Sequence, residues 1–304
     1  MAKTEQIPKS IEELRGSHVC GEGHLINFEG VESGKNVYNP APFIYEDRLY
    51  LAPRIEPKAS EVSEIRHFVQ NGSVDSFVYA PDLPVFPMSQ DAFVKRINGR
   101  WVHGVVKIRP RKDIPGGARA VYTEIRAGDD LREMKTILIG PPGMKDIRPF
   151  QLNDGRVGVL TRPESPDGTK GVAYAEFDDL EDITAQGLLA ARPIPALASP
   201  MEGQHRGGNE AVARPDGTIG YLGHIAAVDL NMRKVYCAET AVLDPVSLEI
   251  ERERVVSCHM CYPTFEPKSD AHQEVVFPQG IIGTLLFVGL GDAGSGYEDI
   301  GEPF

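Results

Sequence analysis

Ile97-Asn98-Gly99-Arg100-Trp101-Val102 is a polar turn that leads directly into an apolar strand, and the same pattern recurs along the chain. The other copies are Tyr45-Glu46-Asp47-Arg48-Leu49-Tyr50-Leu51, Asn153-Asp154-Gly155-Arg156-Val157-Gly158-Val159, Pro215-Asp216-Gly217-Thr218-Ile219-Gly220-Tyr221 and the weaker Gly280-Ile281-Ile282-Gly283-Thr284-Leu285-Leu286. Their spacing of about 50 to 66 residues suits one propeller blade per copy and is too long for a helix-pair repeat. Asn-Gly and Asp-Gly favour hairpins, because type I′ turns need positive φ at both central positions. The repeat predicts an all-β fold, a five-bladed β-propeller.

The composition agrees with a single domain built from short strands. The chain has 304 residues, of which 31 are glycine and 24 are proline, and this content is typical of strands joined by turns. We therefore expect one propeller domain over residues 1–304, with residues 1–35 as an arm that closes or flanks the ring. In this arm, Ser10 and Glu13 form a capping-box pattern that predicts a short helix ending at Arg15. The expected blade units are centred on 38–68, 91–126, 145–177, 208–248 and 274–292.

Charge and hydropathy exclude several classes of partner. A formal net charge of −12 argues against non-specific binding to a phosphate backbone, so we expect no nucleic-acid partner. The segment Met1–Gln6 has no apolar run typical of a signal peptide, and no stretch approaches the roughly 20 apolar residues of a membrane span. These patterns predict a cytoplasmic protein without a membrane partner. They do not indicate an oligomeric state.

The cysteines are too few to staple a chain of this length, and a reducing compartment keeps them as thiols. Cys258 and Cys261 have the two-residue gap found in zinc and redox sites. A structural zinc would need further ligands, and the sequence offers only Cys20, Cys237 and His24 as distant donors. Because no complete set of four ligands is visible, we predict free thiols, no metal site and no cofactor.

Carboxylates recur at the start of the repeated strands in three consecutive units, as Asp91, Asp146 and Glu210. In a propeller these strand starts converge on one funnel. Cleavage of a glycosidic bond needs one protonated carboxyl group and an attack on the opposite face of the sugar. Crowded carboxylates suit this task, since their pKa values are pushed apart. We predict Asp91 as the general acid and Asp146 and Glu210 as base, orienting residue or sugar ligand; the alternative is that each merely caps backbone donors.

Further side chains are predicted to bind substrate in the same funnel. They are Asn39, Arg54, Lys145, Arg148, His224, Tyr38 and Trp101. The basic members would hold an anionic co-substrate such as inorganic phosphate, unless they only pair with carboxylates of neighbouring units. The aromatic members would stack on the faces of a sugar ring, unless they belong to the core. Asp292, His103 and Arg66 are additional candidates without a specific signal.

Taken in order, these segments resemble the five-bladed propeller glycosidases, most closely the mannoside phosphorylases and hydrolases of glycoside hydrolase family 130. The resemblance spans residues 38–292 and is carried by Asn39-Pro40, Arg54, Lys145-Asp146, Thr161-Arg162-Pro163, Gly217–His224, Ala241–Pro245 and Val275–Gly280. Gln90-Asp91-Ala92-Phe93 stands where the family has Glu-Asp-Pro-Arg, whose Asp is the proton donor. The resemblance thus implies that Asp91 is the acid, while the missing arginine favours hydrolysis over phosphorolysis.

Two alternatives remain at this point. Asp146-Ile147-Arg148-Pro149 and Asn209-Glu210 also resemble motifs of propeller furanosidases and arabinosidases, in which blade three carries a pKa-tuning Asp and blade four the acid. In that case Asn39 occupies the place of a carboxylate. A propeller can also bind a sugar or a protein without catalysis. The expected function is cleavage of a glycosidic bond in a small carbohydrate, and the rival is a non-catalytic sugar-binding or interaction propeller.

Overall fold

The computed structural model describes residues 9–16, 18, 20–163, 171–199, 203–228 and 232–304. Strands dominate this part of the chain, so the all-β prediction is confirmed. The arm carries α1 (Ile11–Arg15), β1 (Gly23–Leu25) and β2 (Asn27–Glu29). The first group comprises β3 (Lys35–Tyr45), β4 (Arg48–Pro57), β5 (Glu64–Ile65), β6 (Phe68–Gln70), β7 (Ser76–Tyr79) and β8 (Phe86–Pro87).

Four more groups follow in chain order. The second is β9 (Ser89–Ile97), β10 (Arg100–Pro110), β11 (Ala118–Gly128) and β12 (Lys135–Ile139). The third is β13 (Arg148–Gln151), β14 (Val157–Thr161), β15 (Gly171–Phe177) and β16 (Arg192–Ala198). The fourth is β17 (Gln204–Ala213), β18 (Ile219–Val228), β19 (Lys234–Leu243) and β20 (Ile250–Ser257), and the fifth is β21 (Glu274–Ile282), β22 (Leu285–Leu290) and β23 (Gly294–Asp299).

The helical elements are short and lie outside the sheets. Ser10 caps α1 and exchanges two hydrogen bonds with Glu13, so the predicted capping box is confirmed. Between β15 and β16 lie a 3₁₀ turn, Leu180–Asp182, and the helix α2, Ala185–Leu189. Two further 3₁₀ turns are His259–Cys261 and Asp270–His272. No helix in the described ranges is long and apolar enough to cross a membrane.

In the second to fifth groups the strands pair antiparallel with their chain neighbours, as hairpin-rich sequences require. The pairs within the first group are also antiparallel, but there β4 pairs with β3, β5 and β6, β6 pairs with β7, and β5 pairs with β8. The fourth and fifth groups join into one eight-stranded sheet because β19 pairs in parallel with β21. The arm ties the two ends of the chain together, since β1 pairs with β23 and β2 pairs with β7. Residues 23–29 therefore bridge the last and the first groups.

The first strands of the five groups contact one another in a cycle. β3 packs against β9, β9 against β13, β13 against β17, β17 against β21, and β21 again against β3. Apolar side chains fill the space between neighbouring groups; Phe150 and Tyr174 of the third group, for example, pack with Tyr221 and Leu243 of the fourth. This arrangement brings residues that are far apart in sequence to a common centre.

The hairpin turns follow the predicted positions but use more than one geometry. Asn98 and Gly99 both have positive φ, at 49° and 78°, as the type I′ prediction requires. At Asp154-Gly155 and Asp216-Gly217 only the glycine has positive φ, at 88° and 86°. These two loops are one residue longer than the loop at Asn98-Gly99, because the N–H of Leu152 donates to the carbonyl of Arg156 and that of Arg214 to the carbonyl of Thr218. The type I′ prediction is therefore wrong for them.

Gly104 on β10 determines the position of Phe93 on β9. A Cβ atom built on Gly104 would lie 1.9 Å from the Phe93 ring. Because that ring is buried, we expect Gly104→Ala to lower the free energy of unfolding by about 1–3 kcal/mol, the usual cost of overpacking. Urea unfolding measures this. Gly294→Ala is the matched control, since a Cβ there meets nothing within 4 Å; equal stability of both variants would contradict the packing argument.

Candidate active site

Polar side chains gather where the first strands of the groups are irregular. The strand register shifts between Tyr38 and Ala41 of β3, between Gln90 and Phe93 of β9, between Gly208 and Glu210 of β17 and between Pro278 and Gly280 of β21. The residues at these breaks, together with the one that precedes β13, are Asn39, Asp91, Asp146, Asn209 and Gln279, and all of them are buried. Bulges of this kind redirect side chains and are frequent next to active sites.

Three of these residues adopt left-handed backbone conformations. The φ angles are 52° at Asn39, 49° at Asp91 and 58° at Asp146. Asn and Asp are the side-chain-bearing residues that tolerate this region best, because their short polar groups bond locally. Asn and Asp at these three positions are therefore compatible with the left-handed backbone found there.

Asp91 lies between two groups of strands and contacts both. Its Oδ1 accepts a hydrogen bond from Nδ2 of Asn39 at 3.2 Å, and its Oδ2 lies 3.7 Å from Nζ of Lys145. The Lys145 contact is longer than a charge-assisted hydrogen bond. Asp91 is thus a buried carboxyl group held loosely by one amide and one cation.

Asp146 has a different environment. Nε of Arg162 lies 3.0 Å from its Oδ2. Full burial acts to raise the pKa of Asp146, but the positive charges of Arg162, Arg148 and Lys145 more than offset it and lower the pKa below its ordinary value. Asp146 therefore stays ionised at neutral pH and serves as the fixed negative partner of Arg162, rather than as a proton donor.

His224 does not supply the positive charge expected from the sequence. Burial lowers its pKa well below the ordinary value, so the imidazole is neutral at pH 7. Its Nδ1 is 2.7 Å from Oδ1 of Asn209. Tyr236 stacks on the His224 ring, and its pKa is raised by burial and by the nearby carboxylates of Asp292, Asp146 and Asp91. His224 and Tyr236 thus form a neutral aromatic wall beside the carboxylates.

Arg148 and Arg54 are both held by the protein itself. The Arg148 guanidinium donates to the carbonyl of Asn209 at 2.9 Å and to that of Ile147 at 3.2 Å, with a longer contact of 3.5 Å to the carbonyl of Asp91. It therefore supports the irregular backbone of three groups, while its expected role as a substrate ligand stays a prediction.

Arg54 lies at the edge of the site above a buried tyrosine. It donates two hydrogen bonds to Oε2 of Glu56, at 3.0 Å and 2.6 Å, and lies 4.9 Å above the ring of Tyr38. Lys268 pairs with the other oxygen of Glu56. Arg54 thus pairs with a carboxylate of its own strand, Glu56, and not with one of a neighbouring unit as the alternative had it.

Glu210 borders the Asp91–Asp146 cluster, by which we mean Asp91, Asp146 and the residues that contact them, because it lines a small cavity together with Arg148, Asn209 and Gln279. Its carboxylate is nevertheless held by the protein. Glu210 pairs with Nζ of Lys95 at 2.6 Å and accepts a hydrogen bond from the backbone N–H of Ile281 at 2.7 Å. Trp101 pairs in register with Arg96, five residues beyond Asp91, which at about 3.3 Å per residue is about 16 Å along the strand. Its ring packs against Phe43 and Tyr45. The structure therefore does not bring Trp101 next to Asp91, and its contact with a sugar stays a prediction.

Several residues of the cluster were not assigned to the site from sequence. They are Arg162, Tyr236, Asn209 and Gln279. Asn209 and Gln279 stand at the same point of their units as Asn39 and Asp91, so comparison of the five strand starts could have found them. Arg162 was part of a quoted motif, whereas nothing in the sequence marks Tyr236. Of the additional candidates, Asp292 lies near enough to raise the pKa of Tyr236 and is 3.4 Å from Nε2 of His272. His103 pairs with His67 in the core, and Arg66 pairs with Glu32 and Glu64.

The amide side chains at the breaks keep unused hydrogen-bonding atoms. Within the described residues, Oδ1 of Asn39, Nδ2 of Asn209 and both polar atoms of Gln279 are buried without a partner. Buried polar atoms are normally paired with protein, water or ligand. Together with a loosely held carboxyl group and several cations, these atoms form a centre that can bind a polar molecule.

Comparison with solved structures places this centre on a known framework. A mannose phosphorylase from Leishmania mexicana, MPT-4, in complex with a phosphate ion, is 28% identical with a TM-score of 0.84, covering 96% of this chain and 92% of its own. A GDP-Man-dependent mannosyltransferase from the same organism, MPT-1, is 25% identical with a TM-score of 0.84, covering 96% and 94%.

A third similar structure comes from a study of glycoside hydrolase family 130, described as mannoside phosphorylases that include hydrolases of β-1,2 mannosidic linkages in Candida mannan. It is 14% identical with a TM-score of 0.59, covering 97% of this chain and 96% of its own, and so shows a shared fold. The resemblance to family 130 drawn from the sequence is confirmed at this level.

Curated protein sequences yield no match to the chain. The family model described as "Protein of unknown function (DUF1861)" matches residues 12–304, nearly the whole sequence. The chain therefore belongs to the DUF1861 family.

Proposed function

We propose that this protein is a five-bladed propeller enzyme that cleaves a mannoside with inorganic phosphate and releases mannose 1-phosphate. The cycle of contacts among β3, β9, β13, β17 and β21 supports the propeller. The observation that carries the chemistry is the loosely held, buried carboxyl group of Asp91 beside the cation of Lys145, with a second cation, Arg162, held by Asp146. The likeness to a mannose phosphorylase over most of both chains supports the substrate class.

The proposed reaction is a single displacement. Asp91 donates its proton to the glycosidic oxygen as the bond from that oxygen to the anomeric carbon breaks. A phosphate oxygen forms the new bond to the anomeric carbon from the opposite face, so the configuration at this carbon is inverted. The carboxylate of Asp91 then takes up a proton from the incoming phosphate or from water, which restores the acid.

The cations of the cluster fit the second substrate. Of the two partners of Asp91, Asn39 is buried, whereas Lys145 has 31% of its side chain exposed to solvent. Arg162 presents a planar guanidinium of which only one nitrogen is needed for Asp146, and such a group grips phosphate bidentately. Arg162 thus provides, from the end of β14, the arginine that the Gln90–Phe93 segment lacks. This argument moves our preference from hydrolysis, favoured by the sequence, to phosphorolysis.

The test is an assay of the purified protein with mannobioses of different linkage, each with and without inorganic phosphate. We expect mannose 1-phosphate, observed by phosphorus NMR, only when phosphate is present. Free mannose in the absence of phosphate would indicate hydrolysis instead. Transfer from GDP-mannose in a parallel reaction would indicate a transferase, the activity named for one similar structure. No turnover in any reaction would favour the non-catalytic alternative.

A variant of Arg162 tests the phosphate site itself. We expect Arg162→Gln to raise the KM for phosphate by about 10-fold or more, because a hydrogen bond to a charged group contributes about 1.5–3 kcal/mol. Arg156→Gln is the matched control, since this arginine lies at an exposed hairpin and pairs with Asp154 and Glu176. A KM for phosphate that is equal in both variants would contradict the assignment of Arg162.

A further inference from the structure

A cluster of sulfur and nitrogen ligands lies outside the active-site residues, where the arm meets the fourth group. Cys258 and Cys261 flank and end the 3₁₀ turn that follows β20, and His18 and Cys20 lie on the segment between α1 and β1. One ligand atom from each of these residues lies within 4.8 Å of all the others. Cys20 and Cys261 are 241 positions apart in sequence. The fold thus brings distant segments of the chain together at this cluster.

The spacing of the sulfurs matches tetrahedral coordination on two of three edges. Sγ of Cys258 lies 3.8 Å from that of Cys261 and 4.0 Å from that of Cys20. A tetrahedral zinc with Zn–S bonds of about 2.3 Å places its sulfurs about 3.8 Å apart. Nε2 of His18, at 3.2 Å from Sγ of Cys261, provides the fourth corner. This histidine is the ligand that could not be identified from sequence.

The third edge is too long for a disulfide bond, and the cysteines are free thiols. Sγ of Cys20 and Sγ of Cys261 are 2.7 Å apart, which is longer than a disulfide bond of about 2.05 Å and shorter than the tetrahedral edge. Cys20 is exposed on a connecting segment, so a shift of about 1 Å to complete the tetrahedron needs no movement of the core. Cys258 and Cys261, by contrast, are buried and fixed.

The backbone around the turn has the features of a thiolate-holding knuckle. The N–H of Cys258 donates to Sγ of Cys261 at 3.4 Å, and the N–H of Cys261 donates to the carbonyl of Cys258 at 3.0 Å. Hydrogen bonds from the second shell of this kind orient metal ligands and stabilise their charge. The ligand type, soft sulfur with one imidazole, selects zinc over hard cations.

We propose that His18, Cys20, Cys258 and Cys261 bind one structural zinc ion, which fastens the arm to the outer strand of the fourth group. All four corners are protein ligands, so the metal has no open position and takes no part in the reaction. Binding releases the thiol protons to solvent, as three thiols become thiolates. The proposal is independent of the mannoside chemistry, because none of its residues belongs to the Asp91–Asp146 cluster.

Metal analysis of the full-length protein, purified without chelator, tests this inference. We expect about one zinc per chain in the wild type and at least a five-fold lower content in Cys258→Ser and in His18→Ala. Cys237→Ala is the matched control: it removes the remaining cysteine, which is buried and outside the cluster, and should retain the metal. Zinc content that is equal in all variants would overturn the proposal.

Cobalt exchange gives a readout that does not depend on variant stability. Wild-type protein stripped of metal and supplied with cobalt should acquire the visible absorption of tetrahedral cobalt with thiolate ligands. Absence of zinc in the purified protein together with absence of this spectrum would overturn the proposal. So would peptide mapping under non-reducing conditions that shows a Cys20–Cys261 disulfide in the freshly purified protein.

Discussion

The variant Asp91→Asn is expected to lower kcat/KM for the phosphorolysis of a mannoside by about 10²- to 10⁴-fold, the range typical of a lost general acid. The amide has nearly the same size and can keep the contact with Asn39. It also tolerates the positive φ of this position, as Asn39 itself does at the equivalent break. The change therefore removes the acidic proton with little effect on the backbone. Initial rates with the best mannobiose of the panel measure it.

The control for this prediction is Asp47→Asn. Asp47 also has a positive φ, of 58°, but lies exposed in the turn between β3 and β4. We expect this variant to retain the wild-type rate, and both variants to unfold at the wild-type temperature. If Asp91→Asn keeps more than a tenth of the wild-type rate, Asp91 is not the acid, and the furanosidase-like assignment of the acid to Glu210 becomes the next hypothesis to test by Glu210→Gln.

The second large effect concerns stability. Asp146→Asn should lower the free energy of unfolding at pH 7 by about 3–5 kcal/mol, because removing one partner of a buried ion pair leaves the other charge uncompensated. Here the uncompensated charges belong to Arg162 and Arg148, both of which interact with Asp146. Denaturant unfolding measures the difference. Asp178→Asn, an exposed carboxylate of the third group, is the control and should unfold like the wild type.

The pH dependence gives this prediction a sign. The folded-state pKa of Asp146 is lowered, so its contribution to stability is complete above the unfolded-state value and is lost as the pH falls through the folded-state value. The difference in stability between wild type and Asp146→Asn should therefore be largest near neutral pH and should shrink below about pH 4. A difference that stays constant from pH 7 to pH 3 would show that the lost interaction is not the charge.

Much of the framework could be predicted because it depends on local rules. Turn residues at regular intervals gave the hairpins, and the capping pattern of Ser10 and Glu13 gave the only helix of the arm segment that the structure describes. The carboxylates Asp91 and Asp146 were found because they precede strands of the repeat. These signals need only a few neighbouring residues, so a single sequence contains them.

The remaining features depend on contacts between distant segments. Burial decides that His224 is neutral, and the direction of each Arg148 donor decides that it supports the backbone. Neither property is visible in the residue type. The position of Trp101 is also not visible in the residue type: it lies next to the turn between β9 and β10, at the opposite end of this hairpin from Asp91. Likewise, His18 lies beside the cysteines only because the arm packs next to the end of β20, and the sequence does not show this contact.

The interrupted strands have a consequence for how the protein tolerates change. Asn39, Asp91, Asn209 and Gln279 occupy breaks in the strand register, so we expect their exchange for another polar residue to leave the flanking ladders intact. Within the same strands, the residues at the breaks are thereby separated from the residues that form the strand ladders. Substitutions at the breaks can then be selected with little loss of stability. A few substitutions at these breaks would thus be enough for relatives with this architecture to differ in the reaction that they perform.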